Sequence, residues 1–172
     1  MLALLVSAAS FLDTHEEHAR VRQPPASVAA PDALVLRAHV VDGGARLDLT
    51  PAHPEQVIAT QTLTFPAELH DGAVETTGNA RIEAAWFGEA LAKAVHGAAP
   101  GGHRVAVGIE TRYTTDGTSH VDRALYDVGY ALHARFLRGA TVRLEGVSLV
   151  RRGIGDVHPA VAARWAGQHA GG

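Results

Sequence analysis

Two acidic positions stand where metal chemistry would use them. Glu83 follows the turn-forming stretch Thr76-Thr77-Gly78-Asn79 and falls in the first turn of a predicted helix. Glu110 closes a run in which Val105, Val107 and Ile109 alternate with other residues, the period of a strand. Carboxylates at such places are hard oxygen donors, and Mg²⁺ often takes only one or two of them beside the oxygens of a phosphate. Two ions held in this way activate water and stabilise a leaving oxygen. Purely structural roles compete with this chemistry. An acid in a first helical turn is favoured by the helix dipole, and Glu110 has Arg112 and Arg104 nearby to pair with.

Other chemistries find less support. His15-Glu16-Glu17-His18 places two imidazoles three residues apart, on one face of a helix, yet no third zinc ligand is specified. Eleven histidines spread along the chain make chance pairing the plainer account, and His120, His133 and His158 read as surface or cap positions. The absence of cysteine excludes disulfides, thiolate zinc sites and a cysteine nucleophile. None of Ser7, Ser10, Ser27, Ser119 and Ser148 lies in a Gly-x-Ser-x-Gly elbow. Asp42-Gly43-Gly44 and Pro100-Gly101-Gly102 read as turns rather than phosphate loops, and Trp86 and Phe87 read as core with one ring turned outward.

The elements that must position these acids follow from periodicity and breakers. An apolar run over 2–12 continues into a polar stretch through Arg20 and ends at Gln23-Pro24-Pro25, a linker, since two prolines cannot continue a helix. The sequence thus divides into an N-terminal segment and Pro-rich linker, 1–32, and an α/β domain, 33–172. Residues 33–41 and 45–50 flank Asp42-Gly43-Gly44 as a hairpin. Pro51 and Pro54 interrupt the ladder, which predicts a bulge or an edge position there, before 57–65 resumes as a strand, and 66–78 reads as mostly loop. Ile82, Ala85, Trp86, Ala90, Leu91, Ala94 and Val95 predict a helix over 80–97 with Asn79 as its cap. Ser119 and Asp122 form a capping-box pattern ahead of Val121, Leu125, Val128, Leu132 and Phe136, predicting a second helix over 120–138. Residues 141–150 read as a strand kinked at Gly146, and Pro159 opens a short terminal helix through Trp165. Helix and strand alternating in this order predict a single α/β domain, a mixed five-stranded sheet flanked by helices. Glu83 and Glu110 would then meet near the carboxyl edge of its parallel strands.

The chain of 172 residues carries a formal charge of −3, so no whole-molecule positive field draws it to nucleic acid, and any such site must be local. Lys93 is the one lysine among fifteen basic residues, and arginine suits bidentate phosphate contact. The opening apolar run is too short to span a bilayer and has no preceding Lys or Arg, so the expected location is the cytoplasm, without a membrane partner.

Residues 76–85 and 105–113 together resemble the ribonuclease H family: a Thr-rich, Asn-containing turn leading into a helix with an acid, then a strand ending Glu110-Thr111-Arg112-Tyr113. The resemblance implies a ribonuclease H-like fold and Mg²⁺- or Mn²⁺-dependent hydrolysis of the RNA strand of an RNA/DNA hybrid. It implies Glu83 and Glu110 as metal ligands, with Asp42 and Asp156 completing the catalytic set. The first-strand acid has two claimants, Asp42 and Asp13, with Ser7 in that place if the first strand is 2–9. Ile154 stands where many members carry a mobile histidine. Arg104, Arg112, Arg151 and Arg152 are the expected phosphate contacts. The alternative is a non-catalytic module that binds nucleic acid or a protein, as an adaptor, immunity protein or viral component would.

Overall fold

The hairpin around Asp42 forms as its sequence dictates. Strands β1 (Leu36–Val41) and β2 (Arg46–Pro51) pair antiparallel from Leu36 opposite Pro51 to Val41 opposite Arg46. Asp42, Gly43 and Gly44 all take positive φ, a path open to glycine and tolerated by aspartate. In this computed structural model the described residues are 33–95, 102–135 and 139–169. The readings made above for 1–32, and for Gly97, Pro100 and Phe136, lie outside them.

Pro51 ends β2 and Pro54 falls in the turn before β3 (Gln56–Thr64), whose register against its neighbour shifts between Ile58 and Thr60. Strand β4 (Ala73–Thr77) forms where the sequence suggested loop, and β5 (Arg81–Glu83) follows directly. Three long strands, β6 (His103–Thr115), β7 (Thr118–Arg135) and β8 (Gly139–Arg152), make up most of the rest. The helices are α1 (Gly88–Ala94) and α2 (Val157–His169). Pairing gives a three-stranded sheet, β1-β2-β5, and a five-stranded sheet, β4-β3-β6-β7-β8. Every ladder is antiparallel, so the mixed sheet expected from the sequence is corrected to antiparallel sheets.

Two helix readings are also corrected. Among its described residues the span 80–97 begins as strand β5, passes a single 3₁₀ turn at Ala84–Trp86, and is α-helical in α1 alone. The span 120–138 is strand up to Arg135, so Ser119 caps nothing and pairs with Thr114 in the β6–β7 ladder. The apolar stripe that suggested a helix there divides between two faces of a strand. Val128 and Leu132 lie on the face shared with Ala124, Tyr126 and Tyr130, while Val121 and Leu125 lie on the other. Both faces of β7 are covered over 124–128, so its middle shows no simple apolar–polar alternation. Val, Tyr and Ala on the inner face then suit a strand whose partners supply the packing.

The core lies between the two sheets. Leu47, Leu49 and Ile82 from the small sheet meet Leu63, Val105, Val107, Ile109, Tyr126, Val128 and Leu144 from the large one, with Phe87 and Leu91 of the α1 region among them. On the outer face of the large sheet α2 lies over Gly108, where a β-carbon would sit 2.7 Å from Cβ of Val157. No helix among the described residues is long and apolar enough to cross a membrane.

Candidate functional site

Two of the four acids come together. Asp42 and Glu83 both line a cleft of about 420 Å³ at the β1–β2 turn, with Arg46, Ala84, Thr141 and Arg143. The register explains the meeting, because Arg46 begins β2 directly opposite Glu83 at the end of β5. Both carboxylates already have cationic neighbours. Arg46 Nη1 lies 3.8 Å from Asp42 Oδ2, and its Nε donates to Asp48 Oδ1 at 2.8 Å. Arg81 Nε donates to Glu83 Oε1 at 2.6 Å. Arg143 is exposed and has no carboxylate partner among the described residues.

Glu110 is elsewhere, in the interior of β6 within the large sheet, opposite Thr62 on one side and Arg123 on the other. Arg123 Nε donates to it at 2.6 Å and Arg112 Nη2 at 3.5 Å. The expected meeting of Glu83 and Glu110 at a parallel edge thus loses its geometric basis: they belong to different sheets, and neither sheet is parallel. Asp156 precedes α2 and accepts the His158 backbone N–H at 2.9 Å, a helix N-cap. Among the described residues no three His, Asp or Glu side chains gather as a metal-binding group.

No family model, curated protein or solved structure matches this chain.

The four arginines expected at phosphates do not form one track. Arg104 and Arg112 share a face of β6 but stand eight positions apart, about 26 Å of extended strand. Arg104 lies 3.9 Å from Asp127, and Arg112 pairs with Glu110. Arg152 Nε is 3.1 Å from Asp122 Oδ1, and its Nη2 donates to the Leu34 carbonyl. Only Arg151 of the four is exposed without a partner among the described residues.

The sequence reading missed Asp127, a buried carboxylate on the outer face of β7. Arg164 grips it through Nε at 3.1 Å and Nη2 at 2.6 Å, and Gln168 Nε2 donates at 3.0 Å. This carboxylate keeps the Arg164 guanidinium charged well above the ordinary range, chiefly through the hydrogen bonds. Beside it Gly129 and Gly146 face each other across the β7–β8 ladder, flooring a hollow of about 320 Å³ rimmed by Arg104, Glu145 and Ser148. The available signal was Tyr126, Val128 and Tyr130 alternating with Leu125, Asp127 and Gly129.

On the inner face, burial pushes the Asp122 carboxyl above its usual range, with Arg152 pulling the other way. Tyr126 is driven to about 12 by burial and then by the charge of Asp122.

Proposed function

We propose that this domain is a non-catalytic binding module whose partner is a protein. One observation carries the reading: every acid that ribonuclease H-type chemistry would need is already engaged. Glu83 is held by Arg81, Glu110 by Arg123 and Arg112, Asp42 has Arg46 beside it, and Asp156 caps a helix. A divalent ion needs uncompensated carboxylate charge, and guanidinium groups at these distances offset it. The disposition fits arginine-closed surfaces better than a magnesium centre. The net charge of −3 and the scattering of the arginines favour a protein over a nucleic acid.

A metal-dependent nuclease is the second reading, favoured by the sharing of one cleft by Asp42 and Glu83. Thermal unfolding with and without Mg²⁺ or Mn²⁺, together with incubation on an RNA/DNA hybrid, separates the two. The module predicts no metal-dependent rise in melting temperature and no cleavage. Glu83→Gln and Glu110→Gln should each cost under about 1 kcal/mol, the worth of a solvent-accessible ion pair. Cleavage that requires metal and disappears in both variants establishes the nuclease instead.

A further inference from the structure

Gly129 and Gly146 face each other in the interior of the β7–β8 ladder, where glycine weakens a strand. Among the described residues, nothing in the fold requires glycine at either place. Neither takes a positive φ. A β-carbon on Gly146 would meet no heavy atom within 4 Å, and one on Gly129 would find Cβ of Glu145 at 3.8 Å, an ordinary contact. Gly108 is the contrast, because there α2 already fills the space a side chain would take. A strand glycine with ordinary backbone and room to spare marks a place where something from outside approaches the main chain.

Both glycines line the hollow of about 320 Å³ on the outer face of the large sheet, near the lower end of the volumes that small-molecule sites take. Its charged walls are not matched to each other. Glu145 is the residue left over where the register passes from Gly129 opposite Gly146 to Tyr130 opposite Leu144, and a bulge of this kind re-aims a side chain. Its Oε2 lies 3.8 Å from where a β-carbon on Gly102 would be and 3.9 Å from that of Gly129, so the carboxylate leans over the floor. Glu145 is exposed and pairs with no cation among the described residues. On β6, across β7 from it, the Arg104 side chain is 66% exposed and has Asp127 as its acid, 3.9 Å away. That acid is already held by Arg164 at 2.6 Å and Gln168 at 3.0 Å. The hollow thus offers one anion and one cation that do not pair with each other.

We propose that this hollow binds a small zwitterion of the ammonium–carboxylate type, an α-amino acid or a short peptide. The ammonium pairs with Glu145, the carboxylate takes the Arg104 guanidinium, and the rest of the molecule lies on the bare main chain of Gly129 and Gly146 beside Ser148. Sign selection follows from the walls. A lone cation would meet Arg104 and a lone anion would meet Glu145, so a ligand that carries both charges is preferred to either. The hollow shares no lining residue with the cleft of Asp42 and Glu83, and its ligand does not depend on the binding-module reading.

The probes are L-alanine and L-alanyl-L-alanine, each titrated at neutral pH into the full, isotopically labelled chain and followed through its amide NMR shifts. Saturable shifts centred on Gly129, Gly146 and Ser148 are expected with at least one probe, and the tighter of the two names the source as a free amino acid or a peptide. Glu145→Gln and Arg104→Gln should each weaken binding about tenfold or more, with melting temperatures near the parent's because both side chains are exposed. Gly146→Ala adds a methyl group that meets no neighbour in the chain, so it should weaken binding about as far while the melting temperature holds or rises. N-acetyl-L-alanine, which lacks the ammonium, and L-alaninamide, which lacks the carboxylate, should bind at least tenfold more weakly. Equal binding of either one overturns the proposal, as do undiminished binding by Gly146→Ala and the absence of saturable shifts with both probes.

Discussion

At the residue scale, Asp122 shows how local competition decides a charge. It sits opposite Thr111 on the core-facing side of β7, beside Thr111, Gln61 and Thr76, a polar row crossing four strands through matched register. Gln61 Nε2 donates to Thr111 Oγ1 at 3.0 Å within that row. Arg152 stands 3.1 Å from the carboxylate and favours its charged form, while burial disfavours it, and burial wins. A folded-state value raised above the ordinary one means that the folded protein binds more protons, so this contribution is present below about pH 4 and is lost as pH rises through the raised value. Asp122→Asn removes the titration. In urea unfolding at about pH 3 and about pH 7, the variant should gain stability relative to the parent on going to the higher pH. A parent that gains instead would show the Arg152 ion pair outweighing burial.

The elements are set by what covers each face of β6, β7 and β8. On the outer face of β6, Ala106 and Gly108 are small where α2 crosses, and Val157 and Val161 fill the space a side chain would take. Asp127, gripped by Arg164 and Gln168, anchors the other end of the same helix. Gly108→Ala should therefore cost about 1–3 kcal/mol through overpacking, read by chemical denaturation, whereas an alanine tolerated without loss would mean that α2 can shift outward. This packing explains what the sequence disclosed. The β1–β2 hairpin, the extended run of β3, the apolar alternation of β6 and the terminal helix were legible because turn residues and local burial patterns act locally. Strand β7 was not, since its middle is buried on both faces and its apolar residues fall by accident at helical spacing. That misreading moved Asp127 from a sheet face to a helix and supplied the crossover that would have made the sheet mixed. Of the acids, only the sharing of a cleft by Asp42 and Glu83 turns on long-range register, which no local pattern reports.

At the scale of the whole molecule, the sheets close around an interior whose polar groups are few and placed in the large sheet. Tyr126 is buried opposite Val107 of β6, and its hydroxyl finds no hydrogen-bond partner among the described residues. Burial and then the charge of Asp122 lift its acidity to about 12, and burial alone lifts Tyr130 to about 12. For each tyrosine the unfolded chain loses its proton near pH 10, while the folded one still holds it. Between these values the unfolded state is favoured increasingly, and cooperative closure of the two sheets makes the loss global rather than local. The parent should lose on the order of 2–3 kcal/mol through Tyr126 alone as pH rises from about 10 to about 12, an amount that follows from two pKa units. Tyr126→Phe removes that share. Because the lost hydroxyl makes no hydrogen bond, the variant should stay within about 1 kcal/mol of the parent at neutral pH. Unfolding followed by circular dichroism across this range checks both halves, and an unchanged alkaline slope in Tyr126→Phe would place the phenol in contact with water instead of in the closed interior.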